Sequence, residues 1–416
     1  MATILSTPAL YRHRMVTLQD VRDARDRIAG RVVLTPCTPS ETFGEMFGGH
    51  AWFKFENLQR TGSFKERGAL NRMLLLSDQD RPRGVIAASA GNHAQGVAYH
   101  AARLGIPATI VMPERTPLVK VMATRGYGAR VVLHGSVYDE AMAEALRIQA
   151  EEGQTLIHPF DDPAIIAGQG TIGLELLEQV PGLDVVVCGV GGGGIISGIA
   201  LAIKEIRPEV RIVGVESAVL PAALRAREAG RPIVIPPAET IAEGIAVRKI
   251  GEVTFPHIER YVDELVTVSE EEIAAGVLLL LEREKTVVEA ACATTVAAVV
   301  NGHIAGLAGK NVVMVLSGGN IDVTLMSRII ERGLVQDGRR AHLRVRVNDR
   351  PGTLATLTAL LAETGANIQK LDHNRAMADL WVTEAEIDLT LETRGRPHVG
   401  EIVARLTAAG YEVVEG

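Results

Sequence analysis

The residue of this chain with the greatest chemical capacity is Lys65, in the run Glu56-Asn57-Leu58-Gln59-Arg60-Thr61-Gly62-Ser63-Phe64-Lys65-Glu66-Arg67-Gly68-Ala69. A lysine amine condenses with an aldehyde, and burial makes it neutral, hence nucleophilic, at a lower pH than an exposed lysine. The preceding Thr61-Gly62-Ser63 are small enough for backbone to approach a bulky ligand. On spacing alone, most lysines in apolar surroundings reach out to solvent, so Lys65 by itself decides nothing. Three other segments add to it. Ser89-Ala90-Gly91-Asn92-His93 stands between a strand pattern and a helical one, where unpaired N–H groups suit a carboxylate. Read by itself, that turn is an ordinary Ser/Asn helix cap. Gly189-Val190-Gly191-Gly192-Gly193-Gly194 follows an apolar strand and opens the pattern Ile195 to Ile206, a cradle for phosphate. It also matches G-x-G-x-x-G, with Glu216 ending the next strand about 20 residues on, the dinucleotide pattern. Ser317-Gly318-Gly319-Asn320 closes the last apolar strand of this part and alone reads as a turn.

The elements that must position these groups alternate in type. Strand patterns are Val85–Ala88, Ala108–Met112, Arg130–Leu133, Val185–Cys188, Ile212–Val215 and Val312–Leu316. Helical patterns fall between them, at Ala94–Leu104, Asp139–Glu151, Ile195–Ile206 and Glu270–Arg283. Uniformly apolar strands separated by helices predict parallel sheets covered on both faces, with ligands beyond the strand ends. His158-Pro159-Phe160-Asp161-Asp162-Pro163 carries two carboxylates that read as turn and helix caps.

After Arg332 the character changes. The polar, glycine-containing stretch 333–340 reads as a linker. Leu343-Arg344-Val345-Arg346-Val347 alternates as a half-buried strand does, and Leu354, Leu357, Leu360 and Leu361 form a helical stripe. Further alternation at Ala385–Leu391 and Tyr411–Val414, around a helix at Ile402–Ala408, suggests βαββαβ order and a ferredoxin-like module over 341–416.

A chain of 416 residues can bury a large core and form more than one domain. A net charge of −7 gives no reason to expect nucleic acid or an anionic membrane as partner. No run of about 18 apolar residues suggests a membrane span. Cys37, Cys188 and Cys292 are sparse and lack metal-ligand spacing, which suits a reducing compartment. Met1 to Met15 has no signal-peptide pattern and reads as an extension, so the expected location is cytoplasmic.

Taken together, the Lys65 string, Ala88-Ser89-Ala90-Gly91-Asn92-His93, the glycine run and Ser317-Gly318-Gly319-Asn320 closely resemble the fold-type-II pyridoxal phosphate (PLP) enzymes. The resemblance is to the threonine dehydratase (threonine ammonia-lyase) and serine racemase group, and it runs from Thr35 to about Asp322. It implies a tryptophan synthase β-like α/β fold over 1–332, with a smaller lobe at about 55–160 and the cofactor between lobes. It assigns Lys65 as the PLP-bearing lysine, with Phe64 beside it, and Ser89, Ala90, Gly91, Asn92 and His93 as the substrate loop. Asn92 is assigned to the phenolic oxygen of PLP, and His93 reads as a loop-shaping residue. Gly191, Gly192, Gly193, Gly194 and Ile195 would take the phosphate, Ser317 the pyridine nitrogen, and Gly244 would pass against the ring.

The activity implied is deamination of L-threonine to 2-oxobutanoate and ammonia, and of L-serine to pyruvate. Serine racemase is the alternative, as is a dehydratase of another β-hydroxy amino acid. A non-catalytic amino-acid sensor and a nicotinamide oxidoreductase stand further off. Racemisation in the related enzymes uses a serine directly before the loop glycine, where this chain has Ala90. Ser217-Ala218-Val219-Leu220-Pro221 after Glu216 lacks the aspartate of the racemases' divalent-metal site, so no metal is expected. Asn348-Asp349-Arg350-Pro351-Gly352-Thr353-Leu354, with Asn367 further on, resembles an ACT-type regulatory domain. That resemblance implies an amino-acid effector, isoleucine or valine, near Gly352 and Asn367, and a homo-oligomer, dimer or tetramer.

Overall fold

The structure, a computed structural model, describes residues 15–375 and 381–415. The N-terminal extension read from the sequence lies outside the described residues, apart from Met15. The described residues divide into two compact units that meet between Ile321 and Asp322.

The first unit holds two sheets. β1 (Cys37–Ser40) and β2 (His50–Phe55) pair antiparallel and begin the larger one. The chain then builds the smaller lobe from β3 (Val85–Ala88), β4 (Ala108–Met112), β5 (Arg130–Leu133) and β6 (Thr155–Leu156), all parallel, in the order β5-β4-β3-β6. It returns to the larger sheet with β7 (Val185–Gly189), β8 (Arg211–Ser217), β9 (Glu264–Val268) and β10 (Asn311–Leu316). The resulting order is β1-β2-β10-β7-β8-β9, so β10 sits between the first-made and later-made strands. β3 and β7 are buried along their whole length, which is why they read as unbroken apolar runs.

Each apolar strand expected from the sequence is present, while β1, β2, β6 and β9 were not foreseen. β2 escaped because it carries Lys54, whose side chain is wholly buried. Lys54 Nζ donates to Glu175 Oε2 (2.5 Å), the Thr35 carbonyl (2.8 Å) and Gln179 Oε1 (2.9 Å). Beside it, fully buried Arg67 forks between Glu56 (Nε and Nη2, both 2.8 Å) and Glu175 (Nη1 2.5 Å, Nη2 2.9 Å). Burial alone would raise the Glu56 carboxyl, but the Arg67 and Lys54 charges hold it below its ordinary range. Two cations and two carboxylates thus tie the end of β2, the helix Lys65–Leu74 and the helix Pro163–Gln179 together.

The second unit begins with the helix Val323–Gln336, followed by β11 (Arg340–Asn348), the helix Thr353–Thr364, β12 (Asn367–Asn374), β13 (Glu384–Glu392), the helix Arg396–Ala408 and β14 (Glu412–Glu415). Its antiparallel sheet runs β12-β13-β11-β14, the order expected of a ferredoxin-like βαββαβ module. One boundary differs from expectation. In place of a linker at 333–340, residues 333–336 complete a helix and Arg340 opens β11. Met326, Ile329, Ile330 and Leu334 continue the apolar helical stripe past Gly333, whose cost in a helix is only about 1 kcal/mol.

Replacing Arg67 by methionine should leave Glu56 and Glu175 short of a buried partner. The expected loss is on the order of 3–5 kcal/mol, read from equilibrium urea denaturation with and without the substitution.

Candidate active site

The cleft residues are carried by loops at the carboxyl ends of strands, where open α/β sheets place ligands. Lys65 begins its helix just after the turn Thr61–Phe64, and that turn is stitched to the loop following β10. Phe64 N–H donates to the Ser317 carbonyl (3.1 Å), Gly319 N–H donates to the Gly62 carbonyl (2.9 Å), and Ser63 bridges Gly318. Lys65 is half-buried, and Nζ donates to the Pro159 carbonyl (2.8 Å) and lies 5.1 Å from the Phe64 ring centroid. Burial lowers its ammonium, Glu289 offsets part of that, and the group settles at about 8.

The loop Ser89–Gly91 leaves the end of β3 and opens the helix Asn92–Leu104. Ser89 Oγ accepts from Gly91 N–H (3.2 Å), and Ala90 is half-buried. His93 is buried, with Nε2 2.7 Å from the Ile157 carbonyl, and burial pushes its ring down to about 3. The ring is therefore neutral at ordinary pH and donates to that carbonyl. Asn92 Nδ2 donates to Glu289 Oε2 (2.8 Å), while its Oδ1 accepts from Asn320 Nδ2 (2.8 Å).

The glycine loop links β7 to the helix Gly194–Lys204, whose first N–H groups have no acceptor within the helix. Its glycines are needed for different reasons. Gly193 has φ +94, and a Cβ on Gly192 would run into the Phe160 ring. Gly191 backs onto Ile245, next to Gly244, and a Cβ on Gly244 would come 3.0 Å from Glu289 Oε1. Ile195 follows in the first turn of the helix and is buried. Lys65, the loop Ser89–His93, the glycine loop, Gly244 and Ser317 thus border a common region of the first unit. Gly352 and Asn367 lie in the second unit: Gly352 (φ +94) caps the helix Thr353–Thr364, and Asn367 Nδ2 donates to Glu392 Oε2 (3.2 Å).

Sequence reasoning missed three site groups. Glu289, just before the helix Ala290–Val300, is raised by burial, against the Asn92 hydrogen bond and the Lys65 and Lys120 charges that favour its ionised form. Asn320 bridges two loops. His158 Nδ1 accepts from Phe160 N–H (3.2 Å) and Asp161 N–H (2.7 Å), and burial and Lys65's charge hold it near 4 although Asp162 opposes. The available signal for Glu289 was an acid directly before the small-residue run Ala290-Ala291-Cys292. Asp161 and Asp162 act as caps: Asp161 accepts from three backbone N–H groups at 252–254, and Asp162 from Ala164 and Ile165. Glu216 accepts from Ala223 and Leu224 N–H, and burial takes it up to about 7. Among the described residues no group of three or more His, Cys, Asp or Glu side chains is arranged to hold a metal ion.

The donor set fits an aldehyde-bearing phosphorylated cofactor. Lys65 can supply the neutral amine, the glycine loop and helix N-terminus the anion donors, and the buried Ser63 hydroxyl has no hydrogen-bond partner among the described residues. A two-lobed α/β fold with these groups in its cleft defines a PLP-dependent enzyme, and an antiparallel βαββαβ module follows it. The chain belongs to the pyridoxal-phosphate dependent enzyme family, which matches residues 28–318, and carries an ACT domain matching 341–410. PLP is its cofactor. It is 49% identical over 399 residues to an L-threonine ammonia-lyase of Thermotoga maritima, covering 96% of this chain and 99% of that one. Among solved structures, the T.th. threonine deaminase is 42% identical with TM-score 0.69, covering 74% of this chain and 99% of its own. The serine racemase of Dictyostelium discoideum is 36% identical with TM-score 0.70, over 74% of this chain and 99% of its own. Among the described residues no helix is long and apolar enough to cross a membrane.

The lowered Lys65 ammonium has a direct consequence. At pH 7.5 an ordinary lysine is about 0.1% neutral, whereas one titrating near 8 is about a quarter neutral. Brief exposure of cofactor-free protein to PLP and borohydride, with peptide mapping, should label position 65. The labelling rate should rise with pH to half its plateau near pH 8. A rate still climbing steeply beyond pH 9.5 would mean an unperturbed lysine.

Proposed function

We propose that this protein deaminates L-threonine to 2-oxobutanoate and ammonia, and L-serine to pyruvate, by β-elimination of water. The observation that carries this reading is the 49% identity to an L-threonine ammonia-lyase, which extends through both the cleft-bearing unit and the ACT domain. When bound, PLP withdraws electrons from the substrate's α-carbon and so acidifies its proton. Lys65 holds the cofactor and, once released, its amine takes the α-proton, a task for which a group titrating near 8 is suited. N–H groups at the start of the helix Asn92–Leu104 bind the substrate carboxylate, with Ser89 and Gly91 shaping the loop. The glycine loop Gly191–Gly194 with Ile195 takes the phosphate, and Gly244 admits the ring. Ser317 offers the pyridine nitrogen a neutral hydroxyl in place of a carboxylate, which suits elimination better than a long-lived carbanion. His93, neutral and committed to the Ile157 carbonyl, shapes the loop and takes no proton.

Racemisation needs a second acid or base on the opposite face, and Ala90 supplies none. The ACT domain is read as the effector site, binding isoleucine or valine near Gly352 and Asn367 in a homo-oligomer, dimer or tetramer.

Three measurements test this. Lys65→Ala should abolish 2-oxo acid formation from threonine, since amine and base vanish together. D-Serine formed from L-serine should be slight beside pyruvate, and Ala90→Ser should raise it toward the ~10²-fold that a placed acid–base group contributes. Titration of the full-length protein with isoleucine and valine should show binding by calorimetry and shift half-saturation for threonine by roughly 5- to 150-fold. No heat and no shift with either would make the ACT domain a passive module.

A further inference from the structure

Glu289, Asn92, Asn320 and Thr61 form a single hydrogen-bonded chain. Glu289 Oε2 accepts from Asn92 Nδ2 (2.8 Å), Asn92 Oδ1 accepts from Asn320 Nδ2 (2.8 Å), and Asn320 Nδ2 also donates to the Thr61 carbonyl (2.7 Å). Both ends are acceptors: a carboxylate and a backbone carbonyl. The amides between them can therefore be satisfied in one orientation only, with the Asn92 NH2 on the Glu289 side. One hydrogen of that NH2 goes to Glu289, and the other is left for a ligand.

Three glycines make room for this chain. A Cβ on Gly318 would lie 2.7 Å from Glu289 Oε1 and 3.1 Å from Asn92 Nδ2. One on Gly244 would lie 3.0 Å from Glu289 Oε1, and one on Gly62 (φ +76) 2.7 Å from Asn320 Oδ1. The Glu289 backbone is tied as well, its N–H donating to the Gly318 carbonyl (3.0 Å).

We propose that Glu289 is a positioning residue that sets the flip state of the Asn92 amide, so that Asn92 presents a donor to the oxygen of the cofactor. The proposal rests on the function proposed for the cleft and deepens it. Glu289 acts here as a hydrogen-bond acceptor; its proton and its charge are not used. The near-isosteric Glu289→Gln keeps an acceptor within reach of Asn92. Glu289→Asp keeps the charge but is one methylene too short.

The test is the dissociation constant of PLP, measured by absorbance titration of the cofactor-free full-length protein, for wild type and five variants. Asn92→Ala and Glu289→Ala should each weaken binding on the order of 10-fold, the scale of a hydrogen bond to a charged group. The double variant should be no weaker than Asn92→Ala, because both remove one interaction. Glu289→Gln should bind within about threefold of wild type, and Glu289→Asp should be as weak as Glu289→Ala. Losses that multiply to about 100-fold in the double variant would overturn the proposal. So would wild-type affinity in Glu289→Ala, or a Gln variant weaker than the Asp one. If the alanine variants fail to fold, the Gln–Asp comparison carries the test alone. Wild-type protein that binds PLP but leaves threonine untouched would overturn the proposed function and leave the positioning role of Glu289 intact.

Discussion

Everything in the cleft depends on where the helix Lys65–Leu74 sits, and that is set by a buried charge cluster on its hidden side. Lys65 and Arg67 are two positions apart on one helix, about 200° around its axis, so one can face the cleft while the other faces inward. Arg67 is wholly buried between Glu56 and Glu175, with Lys54 completing the neutral set. Such a cluster is costly to bury and tolerates no missing member. Its value here lies in geometry: a carboxylate from the end of β2 and another from the helix Pro163–Gln179 fork onto one planar guanidinium, leaving the helix little room to slide or turn.

On the cleft side the fold gathers helix N-termini. The helices starting at Asn92, Gly194 and Ala290 begin in loops that touch one another through Asn92 and Glu289, and through Gly244 and Gly191 against Ile245 and Ala291. Their partial positive ends suit the anions the proposed reaction handles, a phosphate and a carboxylate. Burial works in the same region to lower the Lys65 ammonium, against the opposing charge of Glu289, so the region favours a neutral amine. Small residues at the loop tips permit the crowding, since any Cβ on Gly192 or Gly318 would collide with a neighbouring side chain.

Much of this was legible before the structure. Lys65, the Ser89–His93 loop, the glycine run and Ser317 sit in contiguous strings, each at a strand–helix junction, and contiguous strings are what a sequence displays. Glu289 and Asn320 were not read because their meaning is relational. Each is an unremarkable polar residue until Asn92, some two hundred positions earlier, is placed beside it. β2 was hidden by a lysine that only tertiary partners could render buriable, and the helix end at 333–336 by a glycine whose small cost the apolar stripe outweighs. In the C-terminal unit the alternation in β11 and β13 showed plainly, because one face of that sheet is buried and the other is not.

The strand order of the larger sheet bears on how the protein is made. β2, ending at Phe55, finds its parallel neighbour only in β10, which begins at Asn311. β10 in turn is what joins β2 to β7. During synthesis the smaller lobe can close on itself once its last strand, ending at Leu156, has emerged, whereas β2 waits for a partner strand that begins some 250 residues beyond its own end. Pairings of such sequence separation form slowly. The ribosome thus exposes Lys65 long before its surroundings exist, and the loop after β10, which carries Ser317 and Asn320, is among the last parts of the cleft to arrive. A chain interrupted before residue 311 would lack both the loop that bears Ser317 and Asn320 and the burial that makes the Lys65 amine nucleophilic, so assembly of the cleft doubles as a check that the catalytic unit is whole.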